Sequence, residues 1–356
     1  MSTPATILLH GPDNVGMGHI RRLSTIVLAL RDIERTVRPL FAIQGGSQVL
    51  LEVLGLPYVT LPKTRAMYGT TAWSQWSEPE RSVISLRVSR AIVRSIRPRV
   101  AVFDCFPNRA LVIAVVEHNV PIILCLRETR YFQTYLDRIP ELLPHINLVL
   151  IPHEPGSFAL PDAIRAKSHF IGTVVRPITP KQKVQRDPTR PRIVITGGGG
   201  GFRGAVSFYN LAIKALLEVR RYYPLLEARL VAGPFFEDWC SLDLITGMTV
   251  IPFEPEMIEA FHDADLVIGA AGYNTVAELE HVGVKAVLVP AETAWDDQNV
   301  RAQRSSFAHS QVRYFQGTSA SELGQMIQRL LGENMIIRSE AATGAAKAAA
   351  LISSMF

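Results

Sequence analysis

A histidine where a glycine-bearing turn passes into a helix, and two glycine turns where apolar strands end, are the parts of this sequence whose residue types could do chemistry. His10-Gly11 is followed by Gly16-Met17-Gly18-His19-Ile20-Arg21-Arg22. The positive end of a helix dipole disfavours an imidazolium, so His19 is expected to stay neutral and able to accept a proton, as a general base must. The alternative is a residue that merely opens the helix. Asp104 follows the strand Val100 to Phe103 of the same half, where its carboxylate could orient the imidazole as a dyad.

The first glycine turn, Gly197 to Gly201, follows Ile193-Val194-Ile195-Thr196 and precedes Phe202-Arg203-Gly204. Without side chains the backbone at Gly198, Gly199 and Gly200 can approach a diphosphate closely, and Arg203 could add charge. The alternative is a hinge loop without a ligand. No Gly-Lys-Ser/Thr follows, and the glycine spacing is not the dinucleotide fingerprint. The second turn, Gly269-Ala270-Ala271-Gly272, ends the strand Asp265 to Ile268, after which Val276, Leu279 and Val282 recur at helical spacing. Free backbone N–H groups at such a helix start, around Gly272, Asn274 and Thr275, make a phosphate site; the alternative is small-residue packing.

These turns need strands to end on and helices to open. The first half alternates strands at Thr6 to Leu9, Leu40 to Ile43, Tyr58 to Thr60, Val100 to Phe103, Ile122 to Leu126 and Leu148 to Ile151 with helical patterns, a rhythm that implies a parallel sheet. Arg176 to Pro191, rich in Pro, Lys, Gln and Arg, interrupts it, and the rhythm then restarts at Arg192. The expected organisation is α/β: a first Rossmann-like domain over 1–175, a linker over 176–191, a second Rossmann-like domain over 192–335 and a terminal segment over 336–356. The two domains are expected to face each other across a cleft. The Ala-rich end, Ala341 to Ser353, is a good helix former that could pack back on the first domain.

Composition narrows the classes. Of the 356 residues 48% are apolar, enough for two cores, and the three cysteines are odd in number and widely spaced, against a disulfide framework or a Cys-rich zinc site. His118, His145, His153, His169, His262 and His281 show no metal-ligand spacing, so no protein-held metal is expected. The longest apolar stretch, Ala110 to Leu126, is broken by polar residues and Pro121, and no leader precedes the first strand, so the expected compartment is the cytoplasm. The net charge of +5 owes much to Arg81, Arg87, Arg90, Arg94, Arg97 and Arg99. A basic face could attract anionic lipid or a phosphorylated substrate, which leaves peripheral contact with the inner membrane face open; no nucleic-acid motif accompanies it. The alternative is a solvated helix packed through Val83, Ile84, Val88, Ala91 and Ile92. Lys63 to Glu80, bearing Tyr68, Trp73 and Trp76, lacks periodicity and could stack on a sugar or aglycone.

Gly16 to Arg22, the glycine loop at 197–201, Pro252-Phe253 to Met257, Gly269 to Glu278, Gly283, Val289-Pro290 and Asp296-Asp297-Gln298-Asn299 together resemble the MurG-like group of GT-B-fold glycosyltransferases. These are relatives of the bacterial enzyme that moves N-acetylglucosamine from a UDP donor onto a lipid-linked cell-wall precursor. The resemblance covers nearly the whole chain. It implies His19 as base, Gly18 facing the donor phosphates and Gly198 to Gly200 as the diphosphate loop. It further implies that Phe253 and Met257 frame the nucleobase, that Gly272, Asn274 and Thr275 hold phosphate, that Glu278 grips the ribose hydroxyls, and that Asp297 and Gln298 read sugar hydroxyls. The implied chemistry is inverting transfer from a nucleotide-diphospho-sugar co-substrate, UDP by default, to a hydroxyl acceptor such as a glycan, lipid-linked sugar or natural product, with no tightly bound cofactor. Tyr273, at a position small in relatives, and the Asp296-Asp297 pair depart from the pattern. Rival readings are a nucleotide-sugar hydrolase or epimerase on the same fold, and a non-catalytic subunit that binds a nucleotide sugar or anchors a partner at a membrane.

Overall fold

A computed structural model of the protein describes residues 4–13, 16–62, 76–178, 187–293, 295–334, 339 and 341–356. The chain divides into two compact units, Met1–Val174 with Thr343–Phe356, and Val175–Ala342.

In the first unit, β1 (Thr6–His10), β2 (Arg38–Ile43), β3 (Tyr58–Thr60), β4 (Val100–Asp104), β5 (Ile122–Cys125), β6 (Ile146–Ile151) and β7 (Ser168–Phe170) form a seven-stranded sheet of order β3-β2-β1-β4-β5-β6-β7. All of its pairs are parallel. The crossovers carry α1 (Gly18–Ile33), α2 (Gln48–Val53), α3 (Glu78–Ile96), α4 (Arg109–Glu117), α5 (Phe132–Leu136) and α6 (Asp162–Arg165). Central strands such as β4 and β5 are buried along their whole length, which is why they read as continuous apolar runs rather than as alternation.

The second unit repeats the scheme with β8 (Arg192–Thr196), β9 (Glu227–Val231), β10 (Met248–Ile251), β11 (Leu266–Gly269), β12 (Ala286–Leu288) and β13 (Val312–Tyr314), in a parallel sheet of order β10-β9-β8-β11-β12-β13. Its helices are α7 (Ala205–Arg220), α8 (Met257–His262), α9 (Tyr273–Val282), α10 (Gln298–Ala308) and α11 (Ala320–Gly332). In each sheet the strand order reverses at one place, between β1 and β4 and between β8 and β11. Open parallel sheets bind ligands outside the strand ends at such a reversal.

The terminal helix α12 (Gly344–Ser353) packs on α1 within the first unit. Ala345, Ala348, Ala349 and Ile352 form its buried stripe, and the Gly344 N–H donates to the Thr173 carbonyl at 3.0 Å. A Cβ on Gly344 would lie 2.4 Å from the Gly172 carbonyl oxygen, so only glycine permits the approach.

Two packing expectations are corrected. The segment read as a linker from residue 176 is tied to the second unit at its start: Val175 is buried in that core, Ile178 packs on it, and Arg176 pairs with Glu256 at 2.8 Å. The polar run that follows hid these apolar anchors. The basic helix, α3, buries Ser85, Ser89 and Val93, an i, i+4, i+8 stripe, while Val83 is 49% exposed. α3 packs on α4, and the Arg90–Glu117 ion pair joins the two helices at an exposed position. Residues 63–75, with Tyr68 and Trp73, lie outside the described residues; Trp76 is exposed, and Ser77 already caps α3 with a capping box to Glu80, so the loop expected to run to Glu80 ends earlier.

Candidate functional site

In the first unit the reversal point gathers one buried cluster. Asp104 ends β4, fully buried, and His19 stands in the first turn of α1. His19 Nδ1 donates to Asp104 Oδ1 at 2.6 Å. The approach depends on Gly11, the first residue after β1: a Cβ there would lie 2.8 Å from the His19 Cβ and 3.2 Å from the Asp104 Cβ. One turn along α1, Arg22 donates from Nε to Asp104 Oδ2 at 2.8 Å and from Nη2 to Oδ1 at 2.6 Å. The carboxylate is thus shared between a guanidinium gripping both oxygens and an imidazole at one of them.

The electrostatics follow from burial and proximity. Burial would raise the Asp104 carboxyl, but Arg22 and His19 together hold it well below the ordinary carboxylate range. Burial also disfavours the His19 imidazolium, yet the charge and hydrogen bond of Asp104, with a further contribution from Cys105, overcome it and raise the imidazole to about 9. The expectation of an imidazole kept neutral by the helix start is therefore reversed. A full negative charge at hydrogen-bond distance outweighs the partial charge of a helix end. Asp104 engages Nδ1, and the Cys105 side chain also bonds the imidazole.

Residues that the sequence reading did not single out hold this cluster. Asp13, fully buried, accepts the N–H of Gln44 at 2.9 Å and of Gly45 at 2.9 Å, tying the turn after β1 to the end of β2. His10 donates from Nδ1 to the Ala42 carbonyl at 2.6 Å, and burial lowers its pKa, so it stays a neutral strut. Cys105 takes a left-handed φ of 56°, and its carbonyl accepts the Tyr135 hydroxyl at 2.6 Å. Ligand-type atoms of His19, Asp104 and Cys105 lie within 4.8 Å of one another, a spacing that could hold a metal ion. The guanidinium on both Asp104 oxygens opposes a second cation there.

In the second unit the two glycine turns leave adjacent strands, β8 and β11, and meet at Thr275. A Cβ on Gly198 would lie 3.8 Å from Thr275 Oγ1, and one on Gly272 would lie 3.9 Å from the same atom. Gly272 caps α9 with no side-chain hydrogen bond, and the first turn carries no acid, whereas α3, α4, α10 and α11 are each capped by a side chain. Asn274 and Thr275 sit in that first turn. Gly204, in the left-handed region at φ 88°, precedes α7, again without a side-chain cap, and Arg203 beside it is exposed.

The glycine run proves only partly open. Gly197 is hemmed in, since a Cβ would meet the Tyr209 hydroxyl at 2.6 Å, and Gly200 at φ 82° would meet the Ala232 carbonyl at 2.2 Å. The Gly197 and Gly198 amides are already spent on Tyr209 and Thr196 hydroxyls, both at 3.1 Å. These glycines serve packing as well as access, which corrects the picture of a bare loop.

The remaining candidates are placed as follows. Glu278 is 8% exposed on α9. Phe253 is half-buried after β10, and Met257 opens α8 as part of the core. Asp297 caps α10, accepting the Val300 N–H at 3.1 Å, and buried Gln298 accepts the Ala291 N–H at 2.9 Å through Oε1. Asp296 is gripped by Arg301, which also donates to the Ala271 carbonyl at 2.9 Å and lies 5.8 Å from the Tyr273 ring centroid. Arg301 thus links Asp296 to Tyr273.

The two parallel sheets and their helices make an α/β protein of two Rossmann-like units, the fold of the GT-B glycosyltransferases. Residues 192–354 match the glycosyltransferase family 28 C-terminal domain. The UDP-N-acetylglucosamine–N-acetylmuramyl-(pentapeptide) pyrophosphoryl-undecaprenol N-acetylglucosamine transferase of Halorhodospira halophila is 32% identical over 203 residues, 52% of this chain and 54% of that protein. The like-named protein of Phenylobacterium zucineum is 28% identical over 223 residues, 60% of each chain. The chain thus spans about half the length of the curated relatives it matches. Among solved structures, MurG of Acinetobacter baumannii superposes with a TM-score of 0.57 at 17% identity, covering 98% of this chain and 95% of that one. The spinosyn forosaminyltransferase gives 0.65 at 16% identity over 98% and 94%. The chain is similar to the MurG-like group in sequence and shares its fold. No helix among the described residues is long and apolar enough to cross a membrane.

Proposed function

We propose that the protein is an inverting glycosyltransferase that moves a sugar from a nucleotide-diphospho-sugar, UDP by default, to a hydroxyl acceptor. The observation that carries this reading is the bonding of His19 to buried Asp104 at 2.6 Å at the reversal point of its sheet. A base that must take a proton as an alcohol attacks an anomeric carbon needs such an orienting partner. His19 Nε2 takes the hydroxyl proton while the acceptor oxygen attacks opposite the leaving diphosphate, and the imidazolium formed is stabilised by Asp104.

The second unit holds the donor. Negative charge grows on the departing diphosphate, and the amides at the start of α9, where Gly272 brings no side chain, with those of Gly199 and Gly200 and the exposed Arg203, supply preorganised positive ends without a metal. Glu278 accepts the ribose hydroxyls, Phe253 and Met257 border the base, and Gln298 with Asp297 meets the sugar. Incubation with UDP-sugars and a panel of hydroxyl acceptors, with product configuration read by NMR, tests the reading. Inverted glycoside is expected. Rapid release of free sugar without acceptor would replace transfer by hydrolysis, and nucleotide binding with no turnover would replace it by a scaffold role.

A further inference from the structure

The least expected side chain of the first cluster is Arg22. It is 2% exposed, comes from the same helix as His19, and spends Nε and Nη2 on the carboxylate that orients the imidazole. Its Nη2 also stands 3.4 Å from His19 Nδ1, so two groups that can both be cationic lie side by side on one anion. Other groups face them. Cys105 and His10 border His19, while Cys125 and Tyr135 border the Asp104 end. Burial holds His10 below its ordinary value and pushes the Cys125 thiol and the Tyr135 phenol up, so these three are neutral at physiological pH. Asp104 and Arg22 are the charged side chains that stand within 3.4 Å of His19 Nδ1, and the Cys105 side chain bonds the same ring.

We propose that Arg22 is a positioning residue that makes the proton-free form of His19 attainable, by balancing the buried Asp104 charge when the imidazole gives up its proton. The inference rests on the reading of His19 as the base. With Arg22 present, the cluster carries a net positive charge when His19 is protonated and none when it is neutral. Without Arg22, the same deprotonation would leave a lone carboxylate in the interior, a state that burial penalises heavily. Arg22 therefore opposes the rise that Asp104 imposes on His19 and keeps its proton affinity within reach of working pH. The bidentate grip also fixes the carboxylate plane, so that Oδ1 stays on Nδ1.

The test is an NMR titration of the His19 ring in the full chain, its signals assigned by their loss in His19→Ala. Arg22→Gln is expected to raise the His19 pKa by about one unit or more, and Arg22→Lys, which keeps the charge, to restore it to within a few tenths. The alkaline shift should appear equally in the pH profile of kcat/KM. An unchanged or lowered His19 pKa in Arg22→Gln, or a failure of Lys to restore it, overturns the proposal. If Arg22→Gln does not fold, the comparison moves to Asp104→Asn/Arg22→Gln, which leaves no unpaired buried charge, against Asp104→Asn, which leaves Arg22 without its carboxylate. His19 should then titrate higher in the double variant, and equal values again overturn the proposal. A merely structural arginine would lower the melting temperature without moving the titration. Full sugar transfer by His19→Ala would dispose of the base reading while leaving the titration result standing.

Discussion

Gly233 presses on Gly199 so closely that a Cβ on it would lie 2.4 Å from the Gly199 carbonyl carbon, and its own φ is 91°. The turn after β9 thus forms the floor of the glycine loop after β8. Gly233→Ala is expected to destabilise the protein by roughly 2 kcal/mol or more, through left-handed strain and a backbone shift. The same variant should weaken UDP binding, because the loop amides move. Denaturant unfolding and calorimetry check both; a variant with parental stability and affinity would contradict the interlock.

Gly11 is the corresponding fulcrum in the first unit. Gly11→Ala is expected to part His19 from Asp104, since its Cβ would fall 2.8 Å from the His19 Cβ. The imidazole should then titrate near its ordinary value of about 6.5. Turnover should fall tenfold or more, as for a base that has lost its orienting partner. NMR titration beside steady-state kinetics separates this from a general loss of fold.

The raised pKa of His19 sets two pH dependences. If only the neutral imidazole accepts the acceptor proton, kcat/KM should climb about tenfold per pH unit and level off near pH 9. Stability runs the other way. Because the folded protein holds a proton on His19 that the unfolded chain releases near pH 6.5, this contribution is fully present below 6.5 and is lost as pH rises through about 9. Its size is on the order of 3 kcal/mol. Thermal or urea unfolding across that range should show the decline, and His19→Asn should flatten it.

Glu278 is expected to recognise hydroxyls rather than charge. Glu278→Ala should weaken UDP binding by about tenfold, the scale of one charge-assisted hydrogen bond, and should leave a nucleotide lacking the 2′ and 3′ hydroxyls almost unaffected. Calorimetry with the two nucleotides distinguishes ribose recognition from a helix-packing role, in which both affinities would fall together.

Much of the fold was legible because buried parallel strands write themselves as uninterrupted apolar runs; β3 and β8 stand within a residue of where the pattern puts them. β7, by contrast, is a partly exposed edge of three residues, too short to carry a period, and α5 and α6 are a turn or so long. Strand ends made His19 and Asp104 readable, since the fold delivers both to one edge. Arg22 was not readable: its partner lies 82 residues away, and an arginine on an amphipathic helix ordinarily points to solvent. The crowded surroundings of Gly197 and Gly200 were equally hidden, because a glycine that admits a ligand and one that admits a neighbouring chain look alike in a sequence. Asp297 and Gln298 pass as ligand residues by type, and only coordinates reveal that each also answers a backbone amide.

The wedging of Gly344 against Gly172 and Thr173 has an implication for synthesis. The first unit stays unfinished until residues 344–353 have been made, because α1 waits for Ala345, Ala348 and Ile352. The later unit, continuous from 175 to 342, can close on itself beforehand, so the order of completion inverts the order of translation.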